Sequence, residues 1–179
     1  MTDAAVARAS AVLDLLRERG LRLAVAESLT GGALSAALVA VPGASDVLDG
    51  AVVAYATPVK ASVLGVDPAL LSARGPVDAE VARQMALGAR RAVAVEGRPS
   101  DIGVATTGVA GPTPQGGQPV GTVFVGVSSA GGESARAFRF DGDRAQIRAA
   151  AVEAALEAVL DVVGAPRPNG SDPGSRLRE

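Results

Sequence analysis

The 179-residue chain contains no cysteine, no histidine and no tryptophan. It has one tyrosine, Tyr55, and Lys60 is the only lysine among 17 basic residues. Without Cys or His the chain cannot build a Ser-His-Asp triad, a cysteine nucleophile, a structural zinc site, an iron–sulfur cluster or a disulfide framework. Acid–base chemistry near neutral pH must therefore come from a carboxylate, the tyrosine, an N-terminal amine or that single lysine.

Charge and hydropathy limit the partners and the location that can be expected for this chain. A net charge of -2 leaves no basic surface of the size that non-specific nucleic-acid binding needs, so no nucleic-acid partner is expected. No uninterrupted apolar run of about 18 residues is present, and the amino terminus lacks the basic-then-apolar order of a signal peptide. We therefore expect no membrane partner and a cytoplasmic location.

Hydrophobic patterning predicts helices that alternate with strands. Helices are predicted over residues 4–19, 33–41, 58–64, 78–95 and 143–162, the last one opening on a capping box of Asp143 and Gln146. Strands are predicted over residues 21–26, 51–55, 102–105, 120–128 and 135–140, and a turn around Asp67 and Pro68. This order predicts one α/β layered domain over residues 1–164, with a mixed β-sheet and helices on both faces. The polar, Pro- and Gly-rich residues 165–179 are predicted to be a disordered tail.

Three loops at predicted strand ends are candidates for a site, because open α/β sheets bind ligands there. The first is the segment ESLTGG at residues 27–32. The Ser28 hydroxyl could attack a carbonyl while the amides of residues 30–32 receive the oxyanion. The alternative is that Ser28 or Thr30 only caps the following helix.

The second loop carries Tyr55 and Lys60. A serine nucleophile needs a base, and a desolvated lysine can serve as one. Surface positions in this chain have accepted arginine almost throughout, so the one lysine is a candidate for an amine that must lose its proton, which arginine cannot do. A solvated surface lysine is the alternative, and Tyr55 is either a helper of the lysine or a packing residue.

The third loop, TTGVAGP at residues 106–112, suits close backbone contact with a phosphate or carboxamide, although a simple tight turn would explain it as well. Arg144, in the first turn of the last helix, could supply a fixed positive charge for a phosphate. The alternative for Arg144 is a solvated surface residue.

Together these segments resemble the CinA carboxy-terminal domain family. The resemblance runs from about Ala11 to Val162 and rests on five motifs in order: AESLTGG at 26–32, Tyr55 with Lys60, TGVAGP at 107–112, PVGTV at 119–123 and GDR at 142–144. Longer family members carry an amino-terminal molybdopterin-binding-like domain, for which this chain has no room, so the stand-alone form is expected.

The enzymes of that family are nicotinamide-nucleotide amidohydrolases, so the resemblance implies hydrolysis of nicotinamide mononucleotide to nicotinate mononucleotide and ammonia, without metal or cofactor. It implies that Ser28 is the nucleophile, Lys60 its general base and Tyr55 a helper. Substrate contacts are expected from Glu27, Thr30, Gly31, Gly32, Thr107, Gly108, Ala110, Gly111 and, for the phosphate, Arg144.

Two other classes of function stay open at this point. The same loops could cradle a nucleotide phosphate in a non-catalytic regulatory module, with Lys60 as a charged ligand. A purely structural interaction domain fits less well, because hydroxyl- and glycine-rich loops at several strand ends have no packing purpose.

The alanine-rich helices could pack closely against another copy, which leaves a homo-oligomer open.

Overall fold

The structure, a computed structural model, describes residues 3–165. The helices are α1 (Asp3–Arg19), α2 (Ala33–Val39), α3 (Thr57–Ser62), α4 (Pro68–Arg74), α5 (Ala79–Ala92) and α6 (Arg144–Gly164). The strands are β1 (Leu23–Glu27), β2 (Leu48–Val53), β3 (Ile102–Gly108), β4 (Thr122–Ser129) and β5 (Gly132–Arg139). A 3₁₀ turn at Ala44–Asp46 precedes β2.

Within the described residues the five strands form one mixed sheet in the order β2-β1-β3-β4-β5. Strand β1 is parallel to both β2 and β3, whereas β4 pairs antiparallel with β3 and with β5. Because β1, β2 and β3 run in the same direction, their carboxyl ends meet at one edge of the sheet. The loops that follow these three strands therefore lie side by side.

Helices cover both faces of the sheet. Helices α1, α2 and α6 pack together on one face, where Leu13, Leu34 and Ile147 belong to the larger apolar core. Helix α5 packs on the other face against β3 and β4, where Val81 and Met85 belong to a smaller core rich in alanine. The α/β class, the mixed sheet and the helices on both faces are thereby confirmed.

Two glycines let α5 lie directly on the sheet. A Cβ atom added at Gly103 in β3 would overlap the carbonyl oxygen of Ala86, and one added at Gly126 in β4 would overlap that of Ala82. The backbone of α5 thus touches the backbone of the sheet, with no side chain between them. This close approach fixes the height of α5 above β3, whose carboxyl end carries one of the candidate loops.

Several predicted boundaries need correction. The turn predicted around Asp67 and Pro68 is the start of helix α4, in which the Asp67 side chain caps the Ala69 N–H at 2.8 Å. Strand β2 begins and ends earlier than the predicted 51–55, and β5 begins earlier than the predicted 135–140. The capping box that opens α6 is confirmed.

The predicted tail, residues 165–179, lies outside the described residues apart from Ala165. Among helices α1 to α6, none combines the length and the apolar character that crossing a membrane would require.

Candidate active site

A cavity of about 280 Å³ opens at the carboxyl ends of β1, β2 and β3, near the lower end of the roughly 300–1,000 Å³ of small-ligand pockets. All three candidate loops line it, and so does the start of α6. The predicted site residues on its wall are Ser28, Tyr55, Lys60, Thr107, Gly108, Ala110, Gly111 and Arg144. The structure does not place four other predicted site residues on the lining of this cavity: Glu27, Thr30, Gly31 and Gly32.

Glu27 is fully buried, and its carboxylate holds the amino terminus of α2. It accepts hydrogen bonds from the N–H groups of Gly32 at 2.9 Å, Leu34 at 3.1 Å and Ser35 at 2.8 Å, and from the Ser35 hydroxyl. These groups are the donors that a helix leaves unpaired in its first turn. The Glu27 carboxylate therefore already occupies the anion-binding position at the amino terminus of α2, next to Ser28 in the chain.

The loop between Glu27 and α2 is held from both sides. The Ser28 N–H donates to the carbonyl oxygen of Thr106 at 3.0 Å, which ties the loop to the end of β3. On the other side, the Arg148 guanidinium on α6 donates to the carbonyl oxygens of Leu29 at 3.0 Å and Thr30 at 2.6 Å. Because a carbonyl and the N–H that follows it point to opposite sides of a trans peptide, the N–H of Thr30 points away from Arg148.

This geometry changes the expected oxyanion donors. The N–H of Gly31 donates to the Ser28 carbonyl at 3.1 Å and that of Gly32 to Glu27, so neither is available to a substrate. Within the described part of the chain, the N–H groups of Leu29 and Thr30 make no hydrogen bond. Thr30 does not line the cavity, so the available donor in this loop is the N–H of Leu29, the residue directly after the serine.

Lys60 is buried to 1% exposure at the cavity, although its side chain would carry a charge in water. Its Nζ donates to the carbonyl oxygen of Ala54 at 2.9 Å, and the described residues offer it no carboxylate. Burial without a counter-ion disfavours the protonated amine and lowers the pKa of Lys60 from 10.5 to about 8. The solvated-lysine alternative is therefore wrong.

Tyr55 and Arg144 meet at the cavity mouth. The Arg144 guanidinium donates to the Tyr55 hydroxyl at 2.9 Å through Nη2 and to the Gly111 carbonyl oxygen at 2.7 Å through Nη1. Tyr55 is 60% exposed, and the hydrogen bond of its hydroxyl joins it to Arg144 and not to Lys60. One arginine thus connects the second and third loops.

The threonines at the end of β3 are buried and hydrogen-bonded. Thr107 Oγ1 donates to the Pro76 carbonyl oxygen at 2.6 Å, while Thr106 and Thr30 share a hydrogen bond between their hydroxyls at 2.7 Å. Thr107 lines the cavity, but its hydroxyl hydrogen faces the segment before α5. The two lone pairs of this hydroxyl leave it able to accept a hydrogen bond from a ligand.

Sequence reasoning missed several residues of the site. Arg148 carries no motif, although its position four residues after Arg144 puts both on one face of α6. The cavity is also lined by residues that were not predicted: Leu29, Thr57, Pro76, Val77, Val109, Thr113, Pro114 and Gln115. Pro76 and Val77 come from the segment before α5, for which no sequence signal pointed to a site.

Taken by themselves, the fold and site define an α/β protein with a strand-end cavity that holds a serine, a buried lysine and an exposed arginine. Residues 6–163 match the CinA C-terminal domain, and the chain belongs to that family.

Curated relatives agree with this assignment. The chain is 49% identical over 148 residues to a CinA-like protein of Frankia casuarinae, covering 83% of this chain and 33% of that protein. It is 47% identical over 144 residues to a putative competence-damage inducible protein of Desulforamulus reducens, covering 80% of this chain and 34% of that one. The chain thus spans about a third of the length of these relatives.

Solved structures share the fold over most of both chains. The competence/damage inducible protein CihA of Agrobacterium tumefaciens superposes with a TM-score of 0.84 at 32% identity, covering 92% of this chain and 98% of that one. A competence-damaged protein (CinA) superfamily protein of Enterobacter cloacae gives 0.83 at 29% identity, covering 91% and 94%.

Proposed function

We propose that this chain hydrolyses the carboxamide of nicotinamide mononucleotide to nicotinate mononucleotide and ammonia, by acyl transfer through Ser28 in the cytoplasm. The observation that carries the proposal is a lysine buried at the wall of the cavity that Ser28 also lines, with no carboxylate partner among residues 3–165. A serine hydroxyl needs a base to attack an amide, and Lys60 is the group of this cavity whose surroundings favour the neutral amine.

The shift in pKa has a large effect on the available base. With a pKa of about 8, about 9% of Lys60 is neutral at pH 7, against about 0.03% at 10.5. The gain of roughly 300-fold in free amine comes from desolvation alone. An arginine at the same place would keep its proton, which explains why this position departs from the arginine usage of the rest of the chain.

The reaction runs in two steps. Neutral Lys60 takes the Ser28 hydroxyl proton while Oγ bonds to the carboxamide carbon, and the N–H of Leu29 receives the oxyanion. The lysine then gives its proton to the leaving nitrogen, the C–N bond breaks, and ammonia departs. Water repeats the sequence on the ester, Lys60 again taking the proton, and releases the carboxylate product and free Ser28.

The charges at the site favour one orientation of the substrate. The Glu27 carboxylate occupies the amino terminus of α2 behind Ser28, so a phosphate dianion is disfavoured at that end. Arg144 offers a positive charge on the cavity wall beside Tyr55 and Gly111. The carboxamide then faces Ser28 while the phosphate faces Arg144.

The decisive experiment compares wild type with Lys60→Arg in ammonia release from nicotinamide mononucleotide, with and without a metal chelator. The arginine keeps the charge and removes the base, so we expect at least about a hundredfold lower turnover. Ser28→Ala should fall as far, whereas Ser129→Ala, a hairpin serine away from the cavity, should retain wild-type turnover. Near-normal activity of Lys60→Arg would overturn the proposal.

A non-catalytic nucleotide-binding module is the other outcome that the experiment can reveal. In that case the wild type would bind nicotinamide mononucleotide in a calorimeter without releasing ammonia. Lys60→Arg would then bind as well as the wild type, because only its charge would matter.

A further inference from the structure

Tyr55 lies at the cavity mouth in an arrangement that proton transfer at Lys60 does not explain. Its ring is 60% exposed, and its hydroxyl accepts a hydrogen bond from Arg144 Nη2 at 2.9 Å. Lys60 is buried and donates to a backbone carbonyl oxygen instead. The contact that Tyr55 makes is therefore with the cation of the site and not with its base.

Arg144 is fixed by two loops at once. Nη2 donates to Tyr55 in the loop after β2, and Nη1 donates to the Gly111 carbonyl oxygen at 2.7 Å in the loop after β3. A guanidinium has five N–H donors in a rigid plane. Two are used here, so three are left for a phosphate, and Arg144 can bind one without breaking either tether.

We propose that Tyr55 is a positioning residue for the phosphate of the substrate: it holds the Arg144 guanidinium at the cavity mouth, ready for a phosphate monoester. This inference rests on the proposed function, since it assigns one end of that substrate. With the Gly111 carbonyl as its remaining tether, the exposed Arg144 guanidinium would sample more rotamers, and binding would have to order it. The hydrogen bond to Tyr55 orders the guanidinium before the substrate binds. We therefore expect it to increase the affinity for substrates that carry a phosphate and not for those that lack one.

The expected size follows from the ordering of one long side chain. Immobilising such a chain on binding changes affinity by about 2- to 12-fold. Tyr55→Phe keeps the ring and removes the hydroxyl, so the KM and the Kd for nicotinamide mononucleotide should rise within that range. The kcat should stay within about twofold, and kcat/KM for nicotinamide riboside, which has no phosphate, should not change.

The experiment is a double-mutant cycle of Tyr55→Phe and Arg144→Ala, with kinetics on both substrates. Calorimetric Kd values for nicotinamide mononucleotide are measured in a Ser28→Ala background, in which turnover does not interfere. Arg139→Ala is the matched control, because Arg139 is an exposed arginine that donates to a hydroxyl, Thr122 Oγ1 at 3.1 Å, away from the cavity. Its Kd should equal that of the background.

If Tyr55 acts by tethering Arg144, Tyr55→Phe should not change the Kd for nicotinamide mononucleotide any further once Arg144 is replaced by alanine. The inference is overturned if Tyr55→Phe lowers kcat equally on nucleotide and riboside, or weakens binding as much without Arg144 as with it. If the wild type releases no ammonia, the proposed function fails, while the Kd cycle still decides whether Tyr55 acts through Arg144. If the nucleotide does not bind to the wild type, both proposals fail.

Discussion

Replacing Lys60 with methionine should make the protein more stable at pH 7. A pKa lowered from 10.5 to about 8 means that burial of the protonated amine costs roughly 3 kcal/mol. Methionine has a similar length and no charge, so it removes this cost. It also removes the donor to the Ala54 carbonyl oxygen at 2.9 Å, a loss of about 1 kcal/mol. The net gain in the free energy of unfolding should be about 2 kcal/mol.

The gain should depend on pH with a defined sign. The pKa of Lys60 is lower in the folded chain, so between pH 8 and about 10.5 the unfolded chain binds more protons. Wild-type stability therefore rises with pH across that window relative to Lys60→Met. The advantage of the variant is fully present below pH 8 and is lost as the pH approaches 10.5.

The assay is urea unfolding at pH 7, 8, 9 and 10, followed by far-UV circular dichroism because the chain has no tryptophan. Arg139→Met, which removes an exposed charge that does not titrate in this range, serves as the control and should show a constant difference. The reasoning is refuted if Lys60→Met is less stable than wild type at pH 7. It is refuted equally if the difference between them stays the same from pH 7 to pH 10.

Three further substitutions test the supports of the site. Glu27→Ala leaves backbone donors of α2 unpaired and should lower the free energy of unfolding, measured by urea unfolding, by at least about 2 kcal/mol. An unchanged free energy of unfolding would contradict the capping role of Glu27. Gly126→Ala pushes a Cβ against the Ala82 carbonyl and should lower the free energy of unfolding by about 1–3 kcal/mol. The control, Gly131→Ala at an exposed glycine, should change it by less than about 0.5 kcal/mol. Equal effects of the two substitutions would argue against the close packing of α5. Arg148→Ala releases the carbonyls of Leu29 and Thr30 in the loop after β1, so kcat for ammonia release should fall about tenfold. A normal kcat would mean that Arg148 is not needed to hold this loop.

The elements that sequence patterning predicted well are those whose local signals agree with their burial. Helix α6 is an example, because its capping box and its apolar stripe mark the same boundaries. Helix α4 was missed because none of its residues is buried, so it has no apolar period to detect. Strand β2 was displaced because Asp49 and Gly50 interrupt its apolar pattern. The strand order depends on contacts distant in sequence, which periodicity does not report.

The part of the site that could be predicted from composition is the part built from residues that are rare in this chain. Lys60 stands out in a chain that otherwise uses arginine, and its burial gives that rarity a physical reason. The roles within the first loop were not readable, because a carboxylate that caps a helix and one that faces a ligand have the same sequence pattern. Glu27 makes the first kind of contact in the folded chain. Arg148 was missed because one arginine among many carries no signal until α6 packs beside the loop.

The central claim is that neutral Lys60 activates Ser28, and the pH dependence of wild-type kcat/KM for ammonia release tests it most directly. The chain has no histidine and no cysteine, so few groups can titrate between pH 6 and 9. The α-amino group is one of them, and protein acetylated at its amino terminus serves as the control.

We predict that kcat/KM rises about tenfold per pH unit at low pH and levels off above a pKa of about 8, in both the free and the acetylated protein. A profile that is flat from pH 6 to 9, or a limb that disappears on acetylation, would contradict the assignment of Lys60 as the base.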